Sequence, residues 1–196
     1  MSSTQVAPNE RVETILRAAL RVIGRGGAHG VRMAAVAEQA GVSKALVHYY
    51  FTTRQELLRA AFAFASKELS TLLAERFAAS SRGRDKLEVV LLSLVDAEPP
   101  HADFHVIWNE LWSTTQTDDE LKPLVKDAYL DWIGWVREGV LAAAGDGELP
   151  LERAEEITWR LTAIADGVQS LLYADVVDRA AGVEILRTAI ARELLH

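Results

Sequence analysis

Apolar residues recur along this chain at three- and four-residue steps, and nowhere does the two-residue rhythm of a strand appear. The first run has Asn9 in the capping position and carries Val12, Ile15, Leu16, Ala19 and Ile23 until Gly24, Gly26 and Gly27 stop it. Met33 to Ala40 and Lys44 to Tyr50 repeat the spacing in two short runs. Thr53 and Glu56 fit a capping box that opens a long helix from Arg54 to about Ala79, with Leu58, Phe62, Ala65, Leu69 and Phe77 in line. Beyond Ser80-Ser81-Arg82-Gly83, a compact apolar helix runs from Asp85 to Asp96 and ends before Pro99-Pro100. Residues 102–115 form the next. A seventh starts at Asp118 or Asp119, takes Pro123 in its first turns and ends at Gly145-Asp146-Gly147. An eighth runs from about Glu152 to Ala174, and the last follows Gly182. The pattern predicts an all-α protein of about nine helices: a disordered tip at residues 1–9, a three-helix unit at 10–53 and a helical bundle at 54–196.

Between the two short runs stands Gly41-Val42-Ser43, so the chain turns within three residues and sets off again as helix. Gly41 tolerates the left-handed backbone that ends a helix, Val42 tucks into the angle, and the Ser43 hydroxyl caps the next helix. This is a helix-turn-helix. Its second helix carries Lys44, His48, Tyr49 and Tyr50, which can donate to phosphate oxygens, beside Ala45, Leu46 and Val47, which can press on a thymine methyl or the partner helix. Arg32, Ser43 and Arg54 flank it and complete the candidate DNA-binding set. For Arg32 a phosphate contact and a merely solvated charge are equally good readings.

The motif resembles the TetR/AcrR class of bacterial transcription regulators, carried here by Val36-Ala37, Ala40-Gly41-Val42-Ser43, His48-Tyr49-Tyr50-Phe51 and Arg54-Gln55-Glu56-Leu57. Three positions depart from the family pattern: Arg32 stands where Thr usually caps, Ala45 where Gly is common, and His48 where Tyr is common. The resemblance implies an amino-terminal DNA-binding unit and a carboxy-terminal bundle that binds a small molecule and makes the dimer.

Charge sharpens the division. Net charge is −7, yet residues 1–60 hold eight Lys/Arg against four acids, leaving −11 for the remainder. The basic footprint sits at the helix-turn-helix end, where phosphate would be met, and the acidic part helps orient it. With no cysteine, disulfides and thiolate sites are excluded. No apolar run reaches the roughly 18–20 residues of a membrane span, and Met1 to Asn9 has no signal-peptide pattern, so a soluble cytoplasmic protein is expected.

One helix-turn-helix reads too few bases to be selective, so a homodimer on a palindromic operator is expected, with half-sites about 34–36 Å or a multiple apart. The last two helices offer self-complementary stripes for it: Ile157, Leu161, Ile164, Val168, Leu171, Leu186 and Ile190. The same stripes also suit the core of one protomer. All five tryptophans lie beyond residue 100. Trp108 with Trp112, and Tyr129 with Trp132 and Trp135, share helix faces. They suit either core packing or a pocket for a flat or cationic effector, with Asp166, Glu110 or Asp131 as counter-charge. Trp108, Trp112, Glu120-Leu121, Tyr129-x-x-Trp132, Gly147-Glu148-Leu149 and Ala165-Asp166-Gly167 resemble the regulatory domain of choline-responsive, betaine-pathway repressors, which implies a quaternary ammonium or other cationic effector. The reading is a repressor released by that effector, with activation not excluded.

The rival is a helical enzyme or metal protein using His101 and His105, four apart and able to share a helix face. The neighbouring Glu of a metallopeptidase motif is missing, and no nucleophile elbow, phosphate loop or dinucleotide glycine pattern occurs, so neither enzyme, cofactor nor metal is expected. An adaptor that keeps the fold without DNA is disfavoured by the basic amino-terminal balance.

Overall fold

The computed structural model describes residues 8–27, 30–95, 101–114 and 122–194. Among these are nine α-helices and no strand. They are α1 (Pro8–Gly26), α2 (Met33–Ala40), α3 (Lys44–Tyr50), α4 (Arg54–Ala79), α5 (Gly83–Leu92), α6 (His101–Thr114), α7 (Lys122–Gly145), α8 (Ala154–Tyr173) and α9 (Arg179–Glu193). A 3-10 turn at Ser93–Val95 ends the fifth, and another at Leu151–Arg153 precedes the eighth.

Several boundaries differ from expectation, each for a local reason. Helix α1 begins at Pro8, whose fixed φ suits a first turn, so Asn9 lies inside it rather than capping it. It also runs through Gly24 and stops only where Gly27 takes φ +71°. Gly182 does not precede α9 but lies within it. The cap is Asp178, which accepts from the Ala181 amide at 2.8 Å. Asp118 and Asp119, proposed as helix starts, lie outside the described residues, as do residues 1–7 of the expected tip.

The chain divides into two compact units, and the cut falls inside α4 rather than at its start. Residues 1–69 and 102–126 form one, and residues 70–101 and 127–196 the other. In the first, α1 packs on α2 and α2 on α3 around Ile15, Ile23, Val36 and Val47, all at most 2% exposed. Arg17 ties α1 to α4 through a two-pronged ion pair with Glu68 and lies 4.9 Å from the Phe64 ring centre.

In the second unit, Leu87 and Val90 of α5, Val136 and Val140 of α7, Leu161 of α8 and Leu186 of α9 are fully buried in one cluster. The start of α5 lies directly on the end of α7. A Cβ on Gly83 would stand 2.0 Å from the Ala143 nitrogen, so no larger residue fits there. Asp146 accepts from the Gly83 amide at 2.7 Å, and Arg82 pairs with Glu148 at 2.6 Å, which fastens the same junction.

Candidate nucleic-acid interface and effector site

At the helix-turn-helix the local chemistry is as the sequence requires. Gly41 takes φ 67° and ψ 30°, and its amide and the next return to Glu38 and Ala37, closing α2. The Ser43 hydroxyl accepts from the Leu46 amide at 3.1 Å and caps α3. On α3 only Val47 is buried. Lys44, Ala45, His48 and Tyr49 are exposed, with Arg32 and Ser43 exposed nearby, while Leu46 and Tyr50 are half-buried. Tyr49 is the most exposed large apolar side chain described, at 79%, and meets Tyr50 edge to face at 5.0 Å.

Arg54 plays a different part. Its Nε donates to the Val31 carbonyl at 3.0 Å in a partly buried bond, which fastens the start of α4 to the segment before α2. The capping box at that start forms with a one-residue offset: Glu56 N–H donates to Thr53 Oγ1 at 3.1 Å, and the Glu56 carboxylate reaches the Thr52 amide at 2.8 Å.

The expected effector residues divide between the two units. In the first, Trp108 continues a stack from Phe62 and Phe104 at 6.0 Å and 5.9 Å, and Trp112 follows 6.2 Å further along α6 with half its surface exposed. In the second, the Tyr129 hydroxyl donates to the Asp166 carboxylate between α7 and α8. Burial holds the Asp166 carboxyl above the ordinary carboxylate value, against the hydrogen bond from Tyr129, which lowers it. Burial, then that same bond, pushes the Tyr129 phenol up, so it stays a donor. Trp132 lies 6.1 Å from Tyr129, and its buried indole nitrogen has no hydrogen-bond partner among the described residues. Trp135 turns instead onto Phe77 at 5.1 Å and packs against the core. An open groove of about 470 Å³ elsewhere in this unit is lined by Arg76, Asp85, Glu88, Leu92 and Val183 and shares no residue with the Tyr129–Asp166 pair.

The dimerisation stripes require correction. Ile157, Leu161 and Leu186 are fully buried within the protomer, and Val168 and Ile190 are at most 2% exposed. These side chains join α8 and α9 to their own core, and none is free to meet a second chain. Ile164 is partly buried against that core, and of the set only Leu171, at 38%, is exposed. The surface of α8 instead presents Trp159, Ala163, Gly167 and Leu171 at four-residue steps. A period alone marks both faces of such a helix, and here the more apolar one faces inward.

His105 lies beside the Phe104 ring at 6.3 Å, and the His101 side chain is outside the described ones. No group of three or more metal-ligating side chains occurs among the described residues, nor does any helix there have the length and apolarity to cross a membrane.

Residues 15–61 match the family model described as bacterial regulatory proteins, tetR family, and residues 83–195, more than half the chain, match that of the BetI-type transcriptional repressor, C-terminal. The chain belongs to the TetR family. An HTH-type transcriptional regulator BetI of Burkholderia cenocepacia is 30% identical over 79% of this chain and 77% of its own length. One of Brucella suis is 26% identical over 94% and 91%. Among solved structures, a TetR-family regulator from Rhodococcus is 25% identical, covering 94% of this chain and 98% of that one with TM-score 0.82. A regulator from Saccharomonospora viridis in complex with choline is 22% identical, covering 96% and 99% with TM-score 0.87, which shows a shared fold. This TetR-family chain is thus a DNA-binding transcription regulator with a BetI-type carboxy-terminal domain, and not an enzyme.

Proposed function

We propose that this regulator is a homodimeric repressor that holds a palindromic operator and releases it when a small organic cation binds between α7 and α8. The observation that carries the reading is the Tyr129–Asp166 pair: a half-buried carboxylate whose charge its surroundings disfavour, bonded to the hydroxyl of Tyr129, whose ring lies 6.1 Å from that of Trp132. A carboxylate with aromatic walls favours a soft cation over water. The choline in the Saccharomonospora regulator is of that class.

Operator contact falls to α3. Lys44, His48 and Tyr49 reach phosphate, and Ala45 offers a small apolar contact to the base edges. Dimerisation uses the outer stripe of α8 from Trp159 through Ala163 and Gly167 to Leu171, where the small residues let two helices approach. The effector acts by differential affinity: it stabilises the arrangement in which the recognition helices no longer match the operator spacing. Helix α4, continuous from Arg54 to Ala79, is the element through which the change passes.

The test is operator binding by fluorescence anisotropy over a salt series, with and without choline. Lys44→Ala should weaken binding to every duplex about tenfold and reduce the salt slope by about 1. Choline should weaken wild-type binding, and Asp166→Ala should abolish that response while leaving operator affinity unchanged. Sedimentation of Gly167→Arg should give a monomer. An operator affinity indifferent to every cation tried would remove the effector reading, and a monomeric wild type would remove the dimer.

A further inference from the structure

Helix α8 carries a tryptophan that is 52% exposed yet tethered within its own protomer. The Trp159 indole N–H donates to the Glu155 carboxylate one turn earlier at 3.0 Å, and the other oxygen of that carboxylate accepts from the Arg137 Nε of α7 at 3.4 Å. An indole has a single donor. With it satisfied, the ring can be buried on association without orphaning a polar atom, and the surface that covers it need supply no acceptor. The charges nearby are matched in the same way: Arg160 donates to Glu193 of α9 at 2.9 Å and to Glu156. A face whose charges are already paired within the protomer complements another such face rather than a strongly basic or acidic partner.

A second copy of the chain offers that face. Trp159, Ala163, Gly167 and Leu171 form one exposed row at four-residue steps, large at both ends and small in the middle. Rows of this kind lie alongside each other when two helices cross at about 50°. Across a two-fold axis midway between Ala163 and Gly167, Trp159 comes to the partner's Leu171 and Ala163 to the partner's Gly167, so the small centre lets the helices approach.

We propose that Glu155 is a positioning residue for self-association: backed by Arg137, it holds the Trp159 ring in place for the apolar side chain of the partner's Leu171. The proposal rests on the outer-stripe dimer above. Ordering a free side chain at an interface costs conformational entropy, and a ring already held loses less. Removing Glu155 therefore weakens the dimer although the contact between Trp159 and the partner is intact.

The experiment is sedimentation equilibrium of the full-length protein, with circular dichroism to confirm that each variant is folded. Glu155→Ala should weaken the dimer about tenfold, whereas Glu155→Gln, which keeps an acceptor for the indole, should stay within about threefold. Trp159→Phe has no N–H to hold, so adding Glu155→Ala to it should change the dimer by less than about twofold. The chain has no cysteine, so the pairing itself can be read by cross-linking. Ala163→Cys chains mixed with Gly167→Cys chains should give disulfide-linked dimers on mild oxidation, which neither variant gives alone. An undiminished dimer in Glu155→Ala, or the same loss when Trp159→Phe is already present, overturns the positioning role. Cross-linking by either variant alone overturns the pairing of Trp159 with the partner's Leu171. A monomeric wild type overturns the dimer reading as well, an outcome distinct from both.

Discussion

In the turn between α2 and α3 the polar groups that shape the backbone find partners within a few residues, whereas on α7 and α8 the buried Trp132 Nε1 and Thr162 Oγ1 find none among the described residues. The turn exposes Lys44, His48 and Tyr49, the proposed DNA contacts, on a scaffold completed by Gly41 and Ser43. Tyr129, Trp132 and Asp166, the proposed effector residues, are instead partly buried. A site for a polymer of phosphates must offer its donors to solvent, since the partner arrives as a surface. A site for a small cation, such as we propose around Asp166, must enclose it.

If that contrast holds, substitutions in the enclosed region act through packing, and the largest effect falls there. Leu161→Ala, at a fully buried position among α5, α7 and α9, should lower unfolding free energy by about 2–5 kcal/mol in urea titrations. Trp159→Ala, two residues away but half-exposed, should stay within about 1 kcal/mol and instead weaken self-association. A Leu161→Ala variant that kept its stability and lost the dimer would place Leu161 at the interface rather than in its own core.

In the turn, backbone conformation rather than packing sets the cost. Gly41→Val should cost about 1–2 kcal/mol, because φ 67° is strained for a side chain although nothing stands within 4 Å of the added carbon. The same substitution at a glycine with negative φ and equal space would not show it. A smaller effect belongs to the cap. Ser43→Ala should cost about 1 kcal/mol, while Ser43→Asp should keep the cap and the melting temperature yet weaken operator binding through repulsion from phosphate. Equal operator affinity for Ser43→Asp and wild type would place Ser43 away from the DNA backbone.

The two regions also differ in how readily their sequences disclose them. Ser43, Thr53 and Glu56 accept from amides no more than four residues away and Gly41 donates its own to the Glu38 carbonyl, so spacing alone announces the turn and the caps. The helix count was legible for the same reason. Asp166 could be singled out as a counter-charge, but its partner could not be chosen, since Tyr129 lies 37 residues back and the pairing depends on the register of two helices. The stripe of Ile157, Leu161 and Val168 was visible as apolar, yet period cannot say whether such a stripe meets its own chain or another. Nor did composition reveal that Arg54, a basic residue at a helix start, gives its Nε to a backbone carbonyl.

The smallest expected effect tests the contrast most directly, because it asks whether the enclosed region is held below its best stability. Burial raises the Asp166 carboxyl above its ordinary value of 3.8, so the charged form is penalised in the folded chain relative to the unfolded one. The folded state therefore holds its proton more tightly, and stability is lost as pH rises from the ordinary value through the raised one. The penalty is complete once pH lies above the raised value. Asp166→Asn keeps an acceptor for the Tyr129 hydroxyl and removes the charge, so its melting temperature at pH 7 should exceed wild type by about 1–3 °C. Because wild-type Asp166 is itself neutral in strong acid, the gain should shrink as pH falls toward 4. Cation binding should move the opposite way, lost in Asp166→Asn at every pH and weakening in wild type as the carboxyl takes up its proton. A variant no more stable than wild type at pH 7, with cation affinity unchanged, would mean that Asp166 is neither strained nor the counter-charge, and the two regions would then differ only in exposure.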